Sequence, residues 1–342
     1  MILTGGLLLA LVGTLVLTYA VAISASKDDK DAGASAEPTP TLPAIEATVE
    51  STQTPTPVPT PPPTPTTAPS PAAGITAESA YALDSQTGAA LVALRADERR
   101  PMASLTKMVS ALVVARAIDD GVVALDDPVL IEQSDVVDAE VFSHMGLIAG
   151  DTVTVEQLLD GMLIPSGNDA AKALARYVGS RLPGGGDDPG GAFVAAMNGV
   201  VADLGLHDTS FGNPDGEDDA SNYSTAHDLA VIGSQVMRSA LLAGIVSTPQ
   251  VTLTSGGPEQ RSYELFNTNQ LLGQPGVDGV KTGTTAGAGA CLVASVNLAD
   301  GRNVVVVVLG SAPDPADQTG DPTDWPRFAD ARAILAQIDS SE

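Results

Sequence analysis

The chain carries a single cysteine, Cys291, so no intrachain disulfide can form and cysteine usage leaves the cellular compartment open. Histidine is nearly as scarce. His144, His207 and His227 are the only three, and none stands in a Gly-x-Ser-x-Gly elbow, which argues against a Ser-His-Asp hydrolase. Aromatic residues make up 3% of the 342 residues, so a core drawn from the 44% hydrophobic content must be built from Ala, Val, Leu and Ile. Positive charge is also short. Sixteen Lys and Arg stand against 42 Asp and Glu, a net charge of −26, which excludes sequence-independent binding to nucleic acid phosphates. The acidity reads as solubility. The acidic segment 314–324 lacks the spacing of a calcium loop and reads as a solvated loop. Neither a metal nor an organic cofactor is expected.

Residues 1–26 hold no charged side chain and are mostly Leu, Val, Ala, Ile and Gly, a run long enough to span a bilayer as a helix. A retained transmembrane anchor is the favoured reading, because the run is longer than a signal core and no basic residue precedes it. A cleaved signal peptide is the alternative, since Ala20-Val21-Ala22 resembles a small-residue cleavage site. Residues 27–73 are dominated by Pro, Thr, Ala and Ser and cannot bury enough apolar surface to fold. They read as a disordered tether whose reach, at about 3.1 Å per residue, is on the order of 100 Å.

Residues 74–342 read as one catalytic domain. Strands are expected at 79–84 and 89–94, and helices at 104–118, 155–163, 169–181, up to 204 from a glycine-rich loop, and at 225–242 with Ser224 or Thr225 as N-cap. Strands return at 278–285, 290–296 and 304–309, and a helix at 325–338 closes the chain. Two strands, a helical insertion, three strands and a helix describe a single domain of two lobes.

Beyond the tether the chain keeps only three lysines, Lys107, Lys172 and Lys281, and two of them sit in short motifs. In Ser104-Leu-Thr-Lys107, helical spacing puts hydroxyl and amine on one face. A serine hydroxyl is a weak nucleophile that needs a base. Lysine serves as that base where burial, or a second cation such as Lys281, lowers its pKa. Ser104 at a helix N-terminus is also well placed for oxyanion stabilisation. Ser166-Gly-Asn168 lies at a break between two helices, where a hydroxyl can relay a proton and an amide can hold a carbonyl. Helix capping is its plainer reading. Lys281-Thr-Gly283 lies on a strand. There Lys281 and Thr282 suit a carboxylate, and Gly283 allows a ligand backbone to come close.

The three motifs in this order are those of penicillin-binding proteins and class A β-lactamases. The chain resembles the low-molecular-mass penicillin-binding proteins of the D-alanyl-D-alanine carboxypeptidase family over about residues 77–338. The resemblance is carried by Met102-Ala-Ser-Leu-Thr-Lys-Met108, Leu158-Leu-Asp-Gly-Met-Leu-Ile-Pro-Ser-Gly-Asn-Asp-Ala-Ala171, Tyr223-Ser-Thr-Ala-His-Asp-Leu229 and Val277-Asp-Gly-Val-Lys-Thr-Gly-Thr-Thr285. It implies an α/β fold, an αβα sandwich whose antiparallel five-stranded sheet faces an inserted helical lobe, with the site in the groove between them. It implies Ser104 as nucleophile, Lys107 as base, Ser166 as proton relay and Asn168 on the substrate amide. Lys281, Thr282 and Gly283 would line the carboxylate side, with Arg327 as a candidate second cation and the backbone N–H groups of Ser104 and Thr284 as oxyanion hole. Its partners would be the peptidoglycan stem peptide, β-lactams as covalent inhibitors and, through the N-terminal helix, the cytoplasmic membrane.

Where the family often has Asn-Pro-His-Gly this chain has Asn213-Pro-Asp-Gly216, a departure expected to alter a local contact and not the catalytic set. The family's following β-rich domain and C-terminal amphipathic anchor are also missing from this sequence. The alternatives are a DD-endopeptidase, a β-lactamase and a non-catalytic wall-binding scaffold. Fast deacylation in class A β-lactamases relies on a glutamate, and Glu217, Glu259 and Glu264 do not stand in its usual setting. The scaffold reading is opposed by the presence of every catalytic side chain.

Overall fold

Residues 304–309 are apolar without interruption, and the structure explains why. The computed structural model describes residues 70–72, 74–257, 259–313 and 321–340. The expected anchor and the tether up to residue 69 lie outside the described residues. In strand β10 (Asn303–Ser311), Val305, Val307 and Leu309 join one hydrophobic cluster while Val304, Val306 and Val308 join another. A strand alternates its side chains between faces, so a strand covered on both sides must be apolar throughout.

Around it run β2 (Ser79–Asp84), β3 (Ala90–Leu94), β8 (Val277–Thr285) and β9 (Gly289–Asn297), in the order β3-β2-β10-β9-β8, all antiparallel. The expected five strands are therefore present, with one correction at the edge. Ser70–Pro71, assigned to the tether from sequence, form a two-residue strand β1 parallel to β3. Proline is tolerated there because an outer edge strand need not donate on its free side.

One face packs against helix α7 (Pro326–Asp339) through Phe328, Ala331, Ile334 and Ile338. The other packs against the helical lobe. That lobe comprises α1 (Lys107–Asp119), α2 (Val155–Leu163), α3 (Asn168–Gly179), α4 (Pro189–Asp203), α5 (Ala226–Arg238) and α6 (Ala240–Val246). The result is the expected αβα sandwich. Helix α2 starts on a reciprocal cap, in which Thr154 Oγ1 accepts from Gln157 N at 3.1 Å and Gln157 Oε1 accepts from Thr154 N at 3.0 Å. Thr225 caps α5 as expected, accepting from Asp228 N at 3.0 Å.

The helix expected over 225–242 is two helices that meet at 105°. Ser239 breaks it, because its hydroxyl caps a new helix by accepting from Leu242 N. Two further antiparallel strand pairs were not anticipated. β4 (Pro128–Leu130) pairs with β5 (Thr152–Thr154), and β6 (Gln250–Thr254) with β7 (Ser262–Phe266). Among the described residues no single helix is long and apolar enough to cross a membrane.

Candidate active site

Ser104 lies on a tight 3-10 turn, Ala103–Thr106, that leads into α1. The expected helix thus begins one turn later than its motif, and the first turn is wound more tightly. Two glycines press on this turn. A Cβ on Gly283 of β8 would sit 3.0 Å from both Met102 O and Ser104 N. A Cβ on Gly216, which has φ +91°, would sit 2.1 Å from Ala103 O. Gly283 therefore makes room for the protein's own nucleophile turn, and it also lines the first cavity, where a ligand backbone was expected to come close. Ala103 itself has φ +51° and Ser166 φ +67°, a left-handed conformation that non-glycine residues adopt at a cost and that clusters at functional sites.

Lys107, at the start of α1, is fully buried. Its Nζ lies 2.8 Å from Ser104 Oγ, 2.7 Å from Asn168 Oδ1 and 2.5 Å from the carbonyl oxygen of Asp215. An ammonium has three N–H donors, and here it meets three acceptors. Once deprotonated, the amine can keep two donors on Asn168 and Asp215 and turn its lone pair to the Ser104 hydroxyl. Burial lowers the Lys107 pKa to about 8, against the pull of Asp215, Asp169 and Glu217, and Lys172 adds a smaller lowering. Lys172 is a nearby cation that the sequence did not single out, and the expected Lys281 is coupled to Lys107 as well. A pKa near 8 leaves roughly a tenth of the amine unprotonated at neutral pH, compared with well under a thousandth for an ordinary lysine.

Two cavities meet at Ser104. The first, about 220 Å³, is lined by Ser104, Ser143, Ser166, Thr268, Gln270, Thr282, Gly283, Thr284, Trp325, Arg327 and Phe328, and its one charged lining residue is Arg327. The second, about 470 Å³, is lined by Ser104, Val141, Phe142, Ser143, Asn168, Gly216, Glu217, Asp218, Thr284, Thr285 and Ala286, so its charges are two carboxylates. The groove is thus cationic on one side of the hydroxyl and anionic on the other. Arg327 is buried. Its guanidinium donates to Gly283 O at 2.9 Å, Cys291 O at 3.3 Å and Thr284 Oγ1 at 2.7 Å. Thr282 Oγ1 is hydrogen-bonded to Thr268 Oγ1 at 2.6 Å.

Lys281 is buried and, like Lys107, lines neither cavity itself; it reaches the groove through a neighbour, donating to the carbonyl oxygen of the cavity-lining Thr282 at 3.0 Å. Burial first, then Lys107 and Arg327, hold its pKa well below the ordinary lysine value. Arg327 is the charged residue that lines the first cavity itself.

The sequence candidates converge. Ser104, Lys107, Ser166, Asn168, Lys281, Thr282, Gly283, Thr284 and Arg327 all border the groove or touch a residue that does. Sequence reasoning missed Ser143, Thr268 and the Asp215 carbonyl, which belong to no motif. The turn signal Asn213-Pro-Asp-Gly216 was the one clue to Asp215. None of the three histidines lines either cavity. Glu217 does line the second cavity, closer to Ser104 than its sequence setting suggested, and its carboxylate accepts from Lys172 Nζ at 3.1 Å. Cys291 is buried and its thiol is pushed up to about 11 by burial, so it is no competing nucleophile. Among the described residues no group of His, Cys, Asp and Glu side chains is arranged to hold a metal.

The family model described as D-alanyl-D-alanine carboxypeptidase matches residues 65–313. The chain is 38% identical over 251 residues to the D-alanyl-D-alanine carboxypeptidase of Streptomyces sp. strain K15, covering 72% of this chain and 84% of the relative. It is 34% identical over 238 residues to the D-alanyl-D-alanine carboxypeptidase DacF of Bacillus subtilis, covering 69% of this chain but only 58% of the relative's length. The crystal structure of the Streptomyces K15 DD-transpeptidase superposes with a TM-score of 0.69 at 36% identity, covering 78% of this chain and 98% of that one. With the serine, its buried lysine and the glycine-flanked turn already in place, these matches make the chain a member of the D-alanyl-D-alanine carboxypeptidase family of serine peptidases.

Proposed function

We propose that the chain removes the terminal D-alanine from the peptidoglycan pentapeptide through an acyl-enzyme at Ser104. The observation that carries this reading is the fully buried Lys107 amine 2.8 Å from the Ser104 hydroxyl. Ser104 Oγ attacks the carbonyl carbon of the penultimate residue while its proton passes to Lys107 Nζ. The C–N bond then breaks, and the departing D-alanine amine takes up a proton. Ser166 lines the cavity on that side, which supports a relay to the leaving amine. Asn168 Oδ1 is engaged by Lys107, so its amide N–H₂ is the part left for a substrate carbonyl. The backbone N–H groups of Ser104 and Thr284 serve as oxyanion hole.

The polarity of the groove sets the orientation. The substrate's terminal carboxylate lies toward Arg327, Thr282 and Thr284, and the acyl-donor chain lies over Phe142 and Asn168. Water then attacks the ester and frees the shortened peptide. An amine in place of water would give transfer, the reaction named for the Streptomyces structure. β-Lactams acylate the same hydroxyl. Residues 1–26 tether the domain to the cytoplasmic membrane with the groove on its outer side.

Labelled penicillin attaches covalently to the wild type and not to Ser104→Ala. Equal labelling of both refutes the nucleophile assignment. Mass spectrometry of muropeptides separates the activities, since loss of one alanine is carboxypeptidase action and broken cross-links are endopeptidase action.

A further inference from the structure

The loop that carries Asp215 is held by one bond from α1 and two of its own. Ser110 Oγ donates to Pro214 O at 2.6 Å, Asn213 Nδ2 to Glu217 O at 2.9 Å, and Gly216 N to Asn213 Oδ1 at 2.7 Å. This bracing holds the Asp215 carbonyl on Lys107, a task any residue's backbone could perform. The Asp215 side chain needs a separate reason. It is buried, Oδ1 accepts from Glu217 N at 3.2 Å, and Oδ2 has no hydrogen-bond partner. A buried carboxylate oxygen left in this way is costly. Its nearest cation is Lys172 Nζ at 3.7 Å, which also donates to Glu217 and stands 5.5 Å from the Phe142 ring centroid.

The charged groups that face Lys107 come from three elements. The loop supplies Asp215 and Glu217, α3 supplies Asp169 and Lys172, and β8 supplies Lys281 with Arg327 behind it. Asp169 already has structural work, since its carboxylate accepts from the backbone N–H groups of Met145, Gly146 and Leu147 at 2.9–3.0 Å. Glu217 lies at the edge of the open groove. Asp215 and Lys172 are an opposed pair 3.7 Å apart, and one oxygen of the Asp215 carboxylate is left without a hydrogen bond.

We propose that Asp215 and Lys172 are positioning residues for the base, Asp215 favouring the ammonium of Lys107 and Lys172 its amine, so that together they set the pH at which Ser104 is acylated. The inference rests on the acyl-enzyme reading above. Its test is the rate at which a fluorescent penicillin labels the full chain, followed from about pH 5 to 10. Asp215→Asn keeps the shape without the charge and moves the acid limb down by about one pH unit. Lys172→Gln moves it up, and Lys172→Arg, which retains the charge, restores the wild-type limb.

Limbs that stay in place, or that move in the same direction in both charge-removing variants, overturn the proposal. So does a uniform loss of rate across the pH range. Should Asp215→Asn fail to fold, the comparison of Lys172→Gln with Lys172→Arg decides the question alone. A wild-type chain that takes no label refutes the acyl-enzyme reading instead.

Discussion

Replacing Gly283 with alanine separates the packing of the nucleophile turn from its chemistry. The new Cβ would lie 3.0 Å from Met102 O, 3.0 Å from Ser104 N and 3.1 Å from the Ala103 Cβ. Ordinary contact begins near 3.4 Å, so something must move by a few tenths of an ångström. Strand β8 is held there by its pairing with β9, where Gly283 faces Cys291, and by Arg327 bonded to the Gly283 carbonyl. The turn must therefore give way, carrying Ser104 N and Oγ with it. Overpacking of this kind costs about 1–3 kcal/mol of stability. A displacement approaching half an ångström should lower acylation by about tenfold or more, since a misplacement of about 1 Å can cost a hundredfold. Denaturant unfolding gives the first quantity and the second-order rate of penicillin labelling gives the second. A variant that is as stable and as fast as the wild type refutes the argument that this glycine exists for the turn.

Other expectations are simpler. Arg327→Lys should erode the preference for a free C-terminal carboxylate over the C-terminal amide by about tenfold in kcat/KM, because a point charge replaces a planar donor fork. A preference unchanged from wild type in paired peptide assays would assign the carboxylate to another group. Thr154→Ala removes one half of the reciprocal cap on α2 and should cost about 1 kcal/mol by thermal or denaturant unfolding, with acylation unaffected. In the native protein Cys291 should resist alkylation by iodoacetamide and react only after unfolding, as its burial and raised pKa require.

Much of this molecule was legible because its constraints are written in local pattern. Residues 304–309 announce a strand covered on both faces, and the three motifs carry the groove's nucleophile, base and polar wall. What escaped was what pattern does not encode. The pairs β4–β5 and β6–β7 have strands of three to five residues, too short for a period to stand out from loop. The break between α5 and α6 hangs on Ser239, a residue that reads equally well inside a helix or at its cap. Asp215 touches Lys107 through a backbone carbonyl, for which side-chain identity is silent. Lys281 carries a motif, yet its burial depends on where the nucleophile turn, α5 and α6 dock against β8, a long-range fact. The reason for Gly283 likewise required knowing that the nucleophile turn lies against β8.

Ser104 can attack only if an unprotonated amine is available beside its hydroxyl near neutral pH. The most direct measurement is a heteronuclear NMR titration of the Lys107 side chain, assigned by its loss in Lys107→Arg. A midpoint near 8 is the predicted result. A midpoint at the ordinary lysine value of about 10.4, in a folded chain that still takes up penicillin at Ser104, would contradict the assignment of Lys107 as the base.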